Sequence, residues 1–211
     1  MHDEQHSDDS VSPTAMPILE TERLLIRPFR MDDIQALHRI LDVEVHGVED
    51  AEKTLALRRE YVEWSIRNYR QLALLYQPPY GERAIVRKVD DTLIGACGLV
   101  PSMGPFGMYP PFAEVPTSAR NCHLPQVGLF YTISTSVRGQ GFATEAARAL
   151  IEYGFTALNL WRIIATTTYD NAASMAVMRR LGMTVERNPE TLPEWSQVVG
   201  TIVNPAVRDR G

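Results

Sequence analysis

The stretch from Gln126 to Phe155 constrains the fold more than any other part of the chain. "QVGLFYTIS" alternates Val127, Leu129, Tyr131 and Ile133 on one side, the period of a strand resting on a core. Two glycines, Gly139 and Gly141, follow closely. The chain then enters a pattern in which Ala143, Ala146, Ala147, Leu150, Ile151, Gly154 and Phe155 recur at helical spacing. Strand, glycine loop and helix therefore succeed one another directly. The N–H groups at such a helix start attract anions, yet glycine also serves any sharp turn, so the spacing leaves both readings open.

The flanking segments supply the rest of a mixed sheet. "TERLLIRPF" reads as a strand with Leu24 and Ile26 on one face. "MDDIQALHRILD" reads as a helix capped by Asp32 or Asp33, with Ile34, Leu37 and Leu41 on its apolar side. A longer helix is expected from about Ala51 to Leu75, then two strands, "ERAIVRKV" and "TLIGACGLV", turning at Asp90 and Asp91. Further on, "WRIIATTTY" is a strand, "NAASMAVMRRLGM" a short helix ending at Gly182, and "WSQVVGTIV" a last strand. Interleaved helices and strands give an α/β or α+β class. Residues 101–121 break the pattern with five prolines and two glycines. Their aromatics Phe106, Tyr109 and Phe112 suggest a lid rather than a solvated linker.

At 211 residues, one domain over 18–211 is expected, preceded by an acidic disordered tail over 1–17. The tail carries Asp3, Glu4, Asp8 and Asp9 of a chain whose net charge is −5, so the body is nearly neutral. That balance argues against nucleic acid as a partner. No apolar run approaches the roughly 20 residues of a membrane span, and the first residues lack a secretory signal, so a soluble cytoplasmic chain with no membrane partner is expected. Cys97 and Cys122 stand in apolar contexts without ligand spacing and read as buried thiols. His38 and His46 likewise carry no metal-ligand spacing, so no metal is assigned.

Three phosphate-binding loops share the strand–glycine–helix context. A nucleotide-triphosphate loop needs Gly-Lys-Ser/Thr, whereas Gly141 is followed by Phe142 and Ala143. A dinucleotide loop needs a third glycine where this chain has Thr144, and a later acid where it has Leu158 and Asn159. The third pattern, Arg/Gln-x-x-Gly-x-Gly/Ala, is met by Arg138, Gly141 and Ala143. It resembles the acetyl-CoA diphosphate loop of the GNAT superfamily of N-acetyltransferases. "TERLLIRPFRMDD", "RGQGFATEA" and "DNAASMAVMRRLGM" together resemble its RimJ/RimL-like branch, in order, over roughly residues 18–203.

That resemblance implies a single domain with a mixed, mostly antiparallel sheet flanked by helices. It implies acetyl-CoA as co-substrate, its diphosphate held by Arg138, Gly139, Gln140, Gly141, Phe142, Ala143 and Thr144. By the same resemblance, the strand end Ile133, Ser134 and Thr135 pairs with the pantetheine, Asn171 hydrogen-bonds it, and Ser174 stands near the thioester sulfur. Asn171 is equally an ordinary helix N-cap. Met178 occupies the position where many members carry a tyrosine as general acid, which leaves Ser174 as the catalytic candidate on that helix. The implied acceptor is a primary amine, on a small molecule or a protein N-terminus, and a homodimer is left open. An α-amine near pKa ~8 is deprotonated more easily than a lysine-type amine near ~10.4, so it needs less help from a base. His123, Glu114 and Glu194 are candidate bases that read first as surface groups, and Tyr131 and Tyr169 read as wall residues. A non-catalytic CoA-binding module is the alternative function.

Overall fold

The computed structural model describes residues 17–48, 51–189 and 193–208. Its centre is an eight-stranded sheet of β1 (Leu19–Glu20), β2 (Leu24–Arg27), β3 (Gly81–Arg87), β4 (Thr92–Gly104), β5 (Leu124–Ile133), β6 (Arg162–Thr167), β7 (Thr184–Arg187) and β8 (Val198–Val203). The spatial order is β1-β2-β3-β4-β5-β6-β8-β7, and every neighbouring pair is antiparallel except β5 and β6. The mixed, mostly antiparallel class is thus the observed one. The acidic tail lies outside the described residues apart from Pro17, whose carbonyl accepts from Arg83 Nη1 at 3.0 Å. No helix among the described residues is long and apolar enough to cross a membrane.

Strand alternation sorts the core into layers. Leu24, Ile85, Leu99, Leu129 and Ile163 project to one face, where they meet Leu150 of α3 (Phe142–Thr156) and Met178 of α4 (Ala172–Arg180). Ala84, Val86, Leu93 and Ala96 project to the other, against Leu37 of α1 (Ile34–Leu37) and Val62 of α2 (Ala51–Leu74). A short helix over Pro205–Arg208, α5, follows β8.

Two elements differ from the sequence expectation. The helix after Asp33 does not keep its α-period: it widens into a π-helix over His38–Val45. There the buried His38 Nδ1 meets Asp42 Oδ2 at 2.9 Å, and Arg58 Nη2 of α2 donates to Asp42 Oδ1 at 2.7 Å. The strand expected to end near Val100 instead continues through Pro101 to Gly104. Proline is tolerated because β3 stops pairing at Leu99, so the missing N–H faces no strand.

Residues 105–123 do not form a lid. Phe106 and Phe112 are fully buried and Tyr109 nearly so, packed on Ile164 and Val199 beneath the β6–β8 half of the sheet. Arg162 ties the segment down, donating to Glu114 Oε1 (2.8 Å) and Pro111 O (3.1 Å), with its guanidinium 3.8 Å from the centre of the Phe112 ring. The aromatics serve a small core of their own. Cys97 is buried and Cys122 exposed, and both are free; burial pushes the Cys97 thiol up to about 12, which removes it as a nucleophile.

Candidate functional site

A cavity of about 1160 Å³ opens where the end of β5, the start of α3 and one side of α4 converge. Its form begins with the glycine loop. Gly139 (φ 77°) and Gly141 (φ 84°) are both left-handed, and Gly141 is the N-cap of α3. A Cβ at Gly139 would meet nothing within 4 Å, so backbone handedness, not crowding, demands glycine there. The first bond of α3 runs from Glu145 N–H to Gly141 C=O at 3.0 Å. Phe142, Ala143 and Thr144 therefore carry N–H groups without helical partners, and all three residues line the cavity. With the helix dipole behind them, they make a seat for an anion.

The loop is braced from beneath by residues that the sequence reading passed over. Glu145 accepts from Thr21 Oγ1 (2.6 Å), Arg23 N (3.0 Å) and Arg23 Nε (2.7 Å). Arg23 also donates through Nη1 to Gln140 O (3.1 Å) and lies 4.4 Å from the centre of the Phe142 ring. An acid in the first turn of an anion-binding helix would repel the ligand; Arg23 offsets that charge. The hydrogen bonds outweigh the effect of burial and hold the Glu145 carboxyl below its usual range.

At the strand end the sheet divides. β5 and β6 pair at Gly128↔Ile164 and at no later position among the described residues. Ser134 N–H donates to Ile94 O of β4 at 2.8 Å, so by antiparallel alternation the backbone groups of Tyr131 and Ile133 point the other way, into the gap. Ser134 and Thr135 are engaged elsewhere. Glu44, at the end of the π-helix, accepts from Ser134 Oγ (2.6 Å), Thr135 N–H (2.9 Å) and Thr135 Oγ1 (3.1 Å).

The far wall belongs to α4. Asn171 Oδ1 accepts from Ser174 N–H at 3.0 Å, so the asparagine is the helix N-cap, and its residue also lines the cavity. Ser174 Oγ lies 2.9 Å from Tyr131 Oη, which arrives from β5. Met178 is fully buried, its sulfur 2.9 Å from where a Cβ on Gly200 would sit, and it contributes nothing to the cavity wall. Arg148 of α3 and Arg180 of α4 also line the cavity and are joined by Arg148 Nη2 donating to Arg180 O at 2.9 Å.

Of the residues singled out from sequence, the cavity gathers Ile133, Arg138, Gly139, Gly141, Phe142, Ala143, Thr144, Asn171 and Ser174. Ser134, Thr135 and Gln140 stand off its wall. Among the candidate bases, Glu114 is paired with Arg162, while His123 and Glu194 are exposed. Among the described residues no three His, Cys, Asp or Glu side chains gather as metal donors. The site thus offers an anion seat, an unpaired strand edge and a hydroxyl pair along one channel. That arrangement can hold an elongated, phosphate-bearing ligand with its reactive end at the gap.

A family model described as an acetyltransferase (GNAT) domain matches residues 23–184. The uncharacterized N-acetyltransferase YnaD of Bacillus subtilis is 28% identical over 170 residues, covering 78% of this chain and 81% of that one. A spermidine N(1)-acetyltransferase of Escherichia coli is 39% identical over 54 residues, 26% of this chain and 29% of its own. The fold is similar to that of RimL, a ribosomal L7/L12 α-N-protein acetyltransferase solved with coenzyme A. The TM-score is 0.60 at 17% identity, over 90% of this chain and 99% of that one.

Proposed function

Since the chain belongs to the GNAT acetyltransferase family, we propose that it moves an acetyl group from acetyl-CoA to a primary amine, of a small molecule or a protein N-terminus, in the manner of the RimJ/RimL-like branch. The observation that carries the reading is the continuity of the cavity from the αL glycine loop to the β5–β6 gap. Members of this family use acetyl-CoA, which brings an acyl thioester activated toward amines.

The residues present fit that co-substrate. Gly139 to Thr144 bind its diphosphate through backbone N–H groups, reinforced by the Arg138 guanidinium on the same wall. The outward backbone of Tyr131 and Ile133 pairs with the pantetheine amides as a missing strand would. In this reading Ile133 takes the role that the resemblance implies, with Tyr131 as its partner, while Thr135 is held by Glu44. Ser174 donates toward the sulfur. Asn171 caps α4 with its oxygen and keeps its amide donors for the ligand. Free Cys97 and Cys122 go with a reducing, cytoplasmic setting.

Most of the rate comes from holding amine and thioester in line, worth ~7–11 kcal/mol in favourable cases. Thiol release from acetyl-CoA, followed with a panel of polyamines, amino acids and N-terminal peptides, tests the reading. Release that depends on one amine class supports it. Tight CoA binding without transfer to any amine would instead favour a CoA-binding module.

A further inference from the structure

The hydroxyl that α4 contributes to the cavity, Ser174, does not stand alone. Tyr131 Oη lies 2.9 Å from Ser174 Oγ and 3.2 Å from Ser174 O. The two hydroxyls come from different elements, so the contact is made only by the folded sheet and helix together. Met178, one turn further along α4, is sealed in the core and leaves that turn without a proton donor.

We propose that Tyr131 is a positioning residue for Ser174, its phenol donating to Ser174 Oγ so that the serine's own hydrogen turns into the cavity toward the departing sulfur. The proposal rests on the acetyl-transfer reading above. A hydroxyl has one hydrogen and two acceptor sites. When Tyr131 occupies one acceptor site, the serine hydrogen must point away from the phenol. The competing partner, the Ser174 carbonyl, is farther from the phenol and already lies in the hydrogen-bond ladder of α4. Burial raises the Tyr131 pKa against the lowering effect of Ser174, so the phenol remains a donor at neutral pH. As the amine nitrogen bonds to the acyl carbon the C–S bond breaks, and the thiolate, whose acid has a pKa near ~8.5, leaves as the anion stabilised by the Ser174 hydrogen bond. Ser174 keeps its own hydrogen; the proton shed by the acetylated nitrogen passes to water, and water returns one to the thiolate.

A double-mutant cycle tests this on the full chain, with acetyl-CoA and an amine that the wild type acetylates. Tyr131→Phe should lower kcat roughly 5- to 20-fold while KM for acetyl-CoA changes less than about twofold, the range of one lost hydrogen bond felt during reaction. Ser174→Ala should lower kcat at least as much. The double variant should be no slower than Ser174→Ala, because the tyrosine acts through the serine. Multiplying effects, or a Tyr131→Phe enzyme as fast as wild type, would overturn the proposal. Replacing Tyr131 with difluorotyrosine keeps the shape and acidifies the phenol, which covers the case in which phenylalanine impairs folding. That enzyme should lose kcat with rising pH as its phenol ionises, and the loss should vanish in the Ser174→Ala background. An unchanged pH profile counts against the proposal. A wild type that transfers acetyl to no amine would sink the underlying reading before the cycle begins.

Discussion

Gly141 joins the strand's exit to the helix's start in a conformation that L side chains rarely adopt. Valine there should strain the loop and displace the N–H groups of α3, weakening acetyl-CoA affinity by tenfold or more (about 1.4 kcal/mol). Titration calorimetry reads this directly, and unchanged affinity would remove the loop as the diphosphate seat. The other residue-scale test is electrostatic. Glu145 has its folded pKa lowered by Thr21 and Arg23, so its stabilisation is present above the ordinary carboxylate range near ~4.3 and is lost as pH falls through the lower folded value. Glu145→Gln should therefore cost on the order of 1 kcal/mol at pH 7, with the gap to wild type closing below about pH 4 in urea melts. The glycines were legible in sequence because handedness is a property of a residue type. The brace was not: Thr21 and Arg23 are far from Glu145 along the chain, and nothing local marks their meeting.

Elements were legible where a period ran long enough. The strands over Gly81–Arg87 and Arg162–Thr167 and the helices over Ala51–Leu74 and Phe142–Thr156 follow their hydrophobic patterns. The π-helix was not: the contacts that accompany its wider turn, Asp42 with Arg58 and Glu44 with Ser134, join residues distant in the chain and leave no mark in local composition. Its consequence is functional: the wider turn delivers Glu44 to Ser134 and Thr135. Glu44→Ala should loosen the strand end beside the cavity, and hydrogen exchange should become faster at Thr135 than at Ile163 in the core of β6. The proline-rich insertion misled for a different reason. Aromatics in a loop can cover a ligand or fill a core, and only the position of Ile164 and Val199 decides. Phe112→Ala is accordingly a stability variant. It should lose about 3–5 kcal/mol in urea denaturation, and a variant that keeps full stability but changes acceptor preference would restore the lid.

Across the whole molecule, the division of the sheet after Gly128↔Ile164 organises everything else. Antiparallel strands on either side keep each half rigid, while the parallel junction between them pairs once and opens. Backbone groups that a continuous sheet would satisfy are left for a ligand. The sequence carries the strands on both sides of this opening but not the opening itself, since a missing pairing has no residue signature. The central claim is that acetyl-CoA fills the channel from the glycine loop to that gap. Calorimetric titration of the intact protein with acetyl-CoA tests it most directly. Saturable binding at one site per chain is expected, weakened at least tenfold by Gly141→Val and nearly unchanged by Ser174→Ala. Absence of saturable binding to the wild type would contradict it.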